Sequence, residues 1–283
     1  MILAGYRFDW TGFGNYARPN SDFVRGKTLW DWMELLIIPL VLGIGAFLLQ
    51  RFERDVEREV ASDRQREAAL QAYLDRMTEL LLREKLLESE NEKALDVARV
   101  RTLTALRGLD AARNGIALRF LFDIGLAGKL DSKLFVNANL EGADLESVGL
   151  PETNLERANL GRANLRGANL RGANLRGANL EGVSLEGAKL KDANLELGNL
   201  QDANLRGANL LDANLERANL KDANLERANL KGANLKDAFL RGANLERTNL
   251  EHANLENARF SDEQLAIAET LKGAIMPDGT IHD

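Results

Sequence analysis

From Leu140 to Leu255 every fifth residue is leucine, 24 in one register, and Phe135 and Phe260 hold that register on either side. The positions between are patterned too: a small residue stands two before each leucine, usually Asn one before, and a polar pair after, as in Ala163-Asn164-Leu165-Arg166-Gly167. A period of five fits neither the 3.6 of a helix nor the 2.0 of a flat strand. A fixed short repeat is the mark of a solenoid. A chain that places one large apolar residue every five must turn by a constant angle at each unit. Four units per turn give a square coil of 20 residues with leucine inside, the small residue inside beside it, and Asn and the following pair outside. Coils stack about 4.8 Å apart. The 26 units from Phe135 to Phe260 then make about six and a half coils, roughly 30 Å long.

The outer positions test the four-unit coil independently. At a spacing of 20, the first position after leucine reads Glu146, Arg166, Glu186, Arg206, Glu226, with signs alternating at every step. Opposite charges on adjacent strands attract modestly and like charges repel. A second column, Asn154, Asn174, Asn194, Asn214, Asn234 and Asn254, makes an asparagine ladder.

Outside the repeats the pattern changes. Leu29 to Leu49 is a run of 21 residues in which only Asp31 and Glu34, both at its start, are charged. As a helix it would rise about 31 Å, enough for a bilayer core of about 30 Å, with Trp30 and Trp32 where an aromatic belt belongs. Pro39 is tolerable in such a helix. The run follows a polar, aromatic lead and not a basic amino terminus, which argues for an uncleaved anchor. Five Arg in residues 50–69 against four Arg or Lys in residues 1–28 place the repeats on the cytoplasmic side. Beyond the run, Arg51, Arg54 and Arg58 interleave with acidic residues as on a solvated helix. Leu70, Tyr73, Leu74, Met77, Leu80 and Leu81 then form an apolar stripe at helical spacing, which can pack on its own neighbour or on a second copy. Further helices are expected near Glu92 to Leu106 and from about Asp110. Phe120, Leu121 and Ile124 are placed to cover the open end of the solenoid. Past the repeats, Ser261 and Gln264 fit a capping box. Ala274-Ile275-Met276 imitates the repeat frame with Met276 in the leucine place.

These residues resemble the pentapeptide-repeat proteins, and the resemblance implies a right-handed quadrilateral parallel β-helix over Phe135 to Phe260. Departures from the frame are few: Gly149, Lys189 and Phe239 replace the Asn or Asp, and Val148, Thr153, Val183, Gly198 and Thr248 replace the small inward Ala. The stretches Asp9 to Phe13, Lys27 to Trp32, Arg64 to Leu82, Arg101 to Asp110 and Leu271 to Asp283 further resemble a membrane-anchored subgroup of uncharacterised function from photosynthetic bacteria. The expected organisation is a polar, aromatic lead (1–28), a transmembrane helix (29–49), a helical stalk and N-terminal cap (50–126), the β-helix (127–260) and a C-terminal cap with a helix (261–283). The expected structural residues are Phe135, Leu140, Leu165, Leu205, Leu225, Leu255, Phe260 and Met276.

Composition narrows the function. The chain has no cysteine and two histidines, His252 and His282, so it offers no thiolate site and no histidine cluster. The glycines lack the strand-turn-helix setting of a phosphate loop, and the carboxylates lie on a convex wall beside basic residues. No catalytic, cofactor or metal residues are expected. An alternative is a DNA mimic that binds an enzyme such as gyrase, but mimicry needs a wall of one sign. Residues 135–260 carry 18 acidic and 16 basic side chains, mixed along the columns. What remains is a single-pass, membrane-tethered scaffold of the bacterial cell membrane. It would bind an unidentified protein and no nucleic acid, and could self-associate through the stalk. Leu197, Leu211 and Phe239 are expected to be exposed, and repeat arithmetic puts them on three different sides.

Overall fold

The computed structural model describes residues 29–83, 92–126 and 134–283, with side chains for all of these except 29–36, 38, 92 and 262. The expected lead over 1–28 lies outside the described residues. The chain divides into two compact units, residues 1–64 and 65–283.

Helix α1 (Leu29–Arg83) begins in the first unit and continues into the second. In the first unit, every large apolar side chain described between 37 and 52 is exposed, from Ile37 and Leu40 to Leu49 and Phe52. The expectation of a transmembrane helix over 29–49 is not supported here: among the described residues, no helix is long and apolar enough to cross a membrane. The tryptophans proposed as an aromatic belt lie among the side chains outside the description.

In the second unit, the end of α1 packs with α2 (Glu92–Gly108) and α3 (Ala111–Asp123). The apolar stripe is used inside the chain: Leu70, Tyr73 and Met77 are buried together with Ala94 and Ala98. The Tyr73 hydroxyl meets the Thr102 hydroxyl at 3.0 Å, and Thr102 in turn donates to the Ala98 carbonyl. Burial pushes the Tyr73 phenol up to about 12, against a smaller opposing effect of that hydrogen bond. Asp110 caps α3 by accepting from the Arg113 amide at 3.0 Å. Arg113 also reaches Glu67 of α1 at 3.0 Å, tying two helices together.

Helix α3 lies against the first coil. Asn114 is 2% exposed and its Nδ2 donates to the carbonyls of Leu106 and Asn139. Gly115 sits so near Ala143 that a Cβ would come within 2.8 Å of the Ala143 methyl, so only glycine permits this approach. Leu121 is fully buried as expected, Phe120 and Ile124 are partly buried, and Leu118, Leu126 and Phe122 complete the layer. The Phe122 and Phe135 rings lie 6.0 Å apart.

From Asn139 onward the chain forms a β-helix. Parallel bridges join residues 20 apart without interruption from Asn139↔Asn159 to Phe239↔Arg259, so each coil has four units. Each wall contributes one bridging residue, and each corner is a turn closed by the small residue's amide to the preceding leucine carbonyl, as Ala163 to Leu160 at 3.0 Å. The second residue after each leucine holds a positive φ, near 57° at Arg162 and 64° at Gly167, where a type II turn needs it. Glycine, Asp and Asn, which tolerate that conformation, fill most of these positions, and Arg fills five of the others. All central leucines are at most 1% exposed, each worth about 2 kcal/mol on burial. Asn is left half outside. Its Oδ1 accepts from the amide two residues on, as Asn154 from Glu156 at 3.1 Å, and its Nδ2 donates to the Asn one coil before.

The C-terminal segment adds helix α4 (Asp262–Ala266). The Ser261 amide donates to Gln264 Oε1 at 2.9 Å, and Gln264 Nε2 donates to the carbonyls of Leu240 and Ala243. One extra residue is absorbed there, because the ladder resumes as Asn249↔Thr270 and Asn254↔Ile275. Ala274 is buried in the small-residue place and Met276 follows, partly buried, in the leucine place.

Candidate protein-binding surface

The expected structural residues line up along the axis of the repeat. Leu140, Leu165, Leu205, Leu225 and Leu255 are fully buried and Phe135 nearly so, while Phe260, like Met276, is partly buried. They hold the coils together and offer no chemistry to the outside. Among the described residues, no His, Asp and Glu cluster could hold a metal ion.

The walls are mostly neutralised column by column. In the column that alternates in sequence, Arg206 bridges Glu186 at 3.4 Å and Glu226 at 3.3 Å, and Arg166 reaches Glu186 at 3.7 Å. Elsewhere Arg176 pairs with Glu196, Lys231 with Glu251 and Lys236 with Glu256, all at 2.9–3.1 Å. The hydrogen bond from Lys236 to Glu256 raises the ammonium's pKa, and that from Lys231 to Glu251 lowers the carboxyl's. A wall of paired charges presents no field of one sign.

One wall departs from this. Its asparagine ladder runs Asn139, Asn159, Asn179, Asn199, Asn219, with side-chain hydrogen bonds of 2.9–3.3 Å at all four steps. The next two positions are Phe239 and Arg259. Their backbones stay in register, Phe239 donating to Ala218 and Arg259 to Ala238, but the side-chain ladder ends. Phe239 is 41% exposed, and the Arg259 guanidinium lies 4.7 Å over its ring. Along the adjoining corner, Leu197 is 46% exposed with φ +60°, the sole apolar side chain among the described non-glycine residues in that conformation. Gly198 follows it in place of the small inward Ala. Arg217 and Asp237 continue the corner, 3.8 Å apart.

Leu197, Arg217, Asp237, Phe239, Asn257 and Arg259 line a surface groove of about 720 Å³. A contiguous groove of about 470 Å³ reaches Gly198, Asn199 and Asn219. The expectation that Leu197, Leu211 and Phe239 occupy three sides is therefore corrected: Leu197 and Phe239 share one, and Leu211, half-buried, stands on another corner. Counting by fives treats corner and wall as separate, whereas a side chain on the last turn residue leans over the wall that follows. Arg217, Asp237 and Arg259 were not singled out by sequence. The signal was available in the stacking of Phe239 and Arg259 as successive departures from Asn in one column.

The architecture is that of a four-sided parallel β-helix built on five-residue units. The sequence matches the family described as Pentapeptide repeats, in eight copies over residues 134–162, 158–196, 199–237 and 223–262. Among solved structures, HetL, a pentapeptide repeat protein from the cyanobacterium Nostoc sp. strain PCC 7120, is 43% identical over 52% of this chain and 67% of its own, with a TM-score of 0.50. Rfr23 from the cyanobacterium Cyanothece 51142 is 34% identical over 44% of this chain and 88% of its own, with a TM-score of 0.30. QnrB1, a plasmid-mediated fluoroquinolone resistance protein, is 19% identical over 51% of this chain and 79% of its own, with a TM-score of 0.29. No curated protein sequence gives a significant match. The chain belongs to the pentapeptide-repeat family, and its coil is accordingly the right-handed β-helix of that family.

Proposed function

We propose that this protein is a non-catalytic, protein-binding module whose outer wall recognises a macromolecular partner. The observation that carries the reading is the joint exposure of Leu197 and Phe239 on one groove of an otherwise polar, charge-paired surface. The fold spends its apolar residues on the axis, so two large apolar side chains on one wall are surplus to folding. Apolar anchors ringed by polar groups are the usual make-up of a recognition site. HetL, the 43% identical relative, is involved in the regulation of heterocyst differentiation, which is in keeping with a regulatory binding role. A DNA-mimic role is less favoured, because 18 acidic and 16 basic side chains over residues 135–260 give no uniform negative wall.

The finer reading is that residues 29–49 hold the protein to a bacterial membrane in a single pass, with the repeats cytoplasmic. It is supported by the exposure of Leu40, Leu42, Phe47 and Leu49, 57–66% each, on a continuous helix. Such a surface is stable in lipid or against another protein, and costly in water.

Affinity capture with the full-length chain, compared with its Phe239→Asn form, tests the binding function. Recovery of one protein by the first and its loss with the second supports it. Equal recovery by both removes the observation on which it rests. For the anchor, release of the protein from membranes by carbonate without detergent would contradict a spanning segment.

A further inference from the structure

Resting on that reading, we infer that the Leu197–Phe239 groove takes an acidic segment of a partner protein, one that carries a large apolar side chain next to its carboxylates.

The shape of the groove fixes the apolar half of this ligand. Leu197 and Phe239 stand on coils two steps apart, which a spacing of about 4.8 Å per coil separates by roughly 10 Å along the axis. Arg217 and Asn219, on the coil between, line the same space. That gap accepts one leucine-sized or aromatic side chain, flanked by apolar groups on both sides. Placing Leu at φ +60° is unfavourable for a residue with a Cβ and no local hydrogen bond to offset it. The position is therefore not explained by the turn.

The charges fix the other half. Two cations and one carboxylate line the larger groove: Arg217, Arg259 and Asp237. Arg259 has no carboxylate within ion-pair distance among the described residues, and its guanidinium lies over Phe239. A guanidinium drawn to a ring keeps N–H donors for an anion, and a carboxylate meets them best. Arg217 is held loosely, at 3.8 Å from Asp237 and 4.0 Å from Glu216, with 59% of its side chain exposed. These contrast with the 2.9 Å pairs Lys231–Glu251 and Lys236–Glu256 elsewhere on the walls. Arg217 and Arg259 thus flank the two exposed apolar side chains of this groove. A carboxylate close to an apolar side chain satisfies both features at once. Nucleic acid would supply an anion and a stacking base, but its uninterrupted series of phosphates would run past Asp237, Glu216 and Glu256, whereas a peptide can set a single carboxylate at Arg259.

The test is an unbiased selection of random decapeptides on phage against the full-length protein in detergent. Selected peptides are then measured by fluorescence polarisation against Phe239→Asn and Arg259→Gln. Phe239→Asn restores the repeat frame, and circular dichroism checks that both variants keep the β-helix. The expected result is enrichment of Asp or Glu beside Leu, Phe or Trp, with affinity falling at least tenfold for each variant. Enrichment of basic or uncharged peptides overturns the inference, as does an empty selection. Acidic-apolar peptides that bind Phe239→Asn as well as the parent also overturn it, while leaving the protein-binding reading intact, because they locate the site elsewhere. Binding of a fluorescent oligothymidine that depends on Phe239 overturns it in favour of single-stranded nucleic acid.

Discussion

Leu197 and Phe239 line one groove although two full coils of chain lie between them. Because every residue of a strict solenoid has its neighbours fixed at multiples of 20, a substitution at either can be assigned to the wall or to the core before it is made.

The core carries the first prediction. Leu205 is fully buried and central, so Leu205→Ala should cost roughly 2–5 kcal/mol through lost burial and the cavity left behind. Arg206→Ala, next to it on an exposed ion-paired column, should leave the transition nearly unmoved, because exposed pairs contribute little. Chemical denaturation of the two variants measures the difference, and comparable losses would mean that the column of leucines does not dominate stability.

The groove should separate stability from binding. Phe239→Asn extends the Asn199–Asn219 ladder by one step, and Leu197→Gly relieves a positive φ. Both are expected to leave the melting temperature unchanged or to raise it, with a gain of up to about 1 kcal/mol for Leu197→Gly, while partner binding falls. A clear loss of stability in either would show that these side chains serve folding.

Much of this was legible in the sequence because a period of five, together with the charge alternation at a spacing of 20, selects one coil. The interior identity of Leu225, the coil length and the pairing of Arg206 with Glu186 and Glu226 all follow from the register. What was not legible depends on geometry finer than the period. The lean of Leu197 over the wall of Phe239 is set by the turn's φ, which the repeat count does not contain. The seat of α3 on the first coil depends on Gly115 meeting Ala143, a contact between unlike elements. The extra residue at α4 shifts the last ladder by one, and only the pairing of Asn254 with Ile275 reveals it.

Alkali should loosen the helical part through Tyr73. Its phenol titrates at about 12 when folded against 10 in the unfolded chain, because burial disfavours the phenolate. A raised folded value means this stability is complete below pH 10 and is lost as pH rises from about 10 to about 12. The loss should be roughly 3 kcal/mol. Tyr73→Phe should remove that step and leave Thr102 satisfied by the Ala98 carbonyl. Denaturation midpoints against pH for both proteins decide it, and an identical alkaline loss in the variant would assign the effect to other groups.

The most direct test of the central claim is site-specific photocrosslinking in the host cell. Benzoylphenylalanine is placed at Phe239 in one strain and at Asn229, on the opposite wall two units away in the coil, in another. The account predicts a discrete protein adduct from position 239 and none from 229. Adducts of equal yield from both, or an adduct from 229 alone, would contradict it.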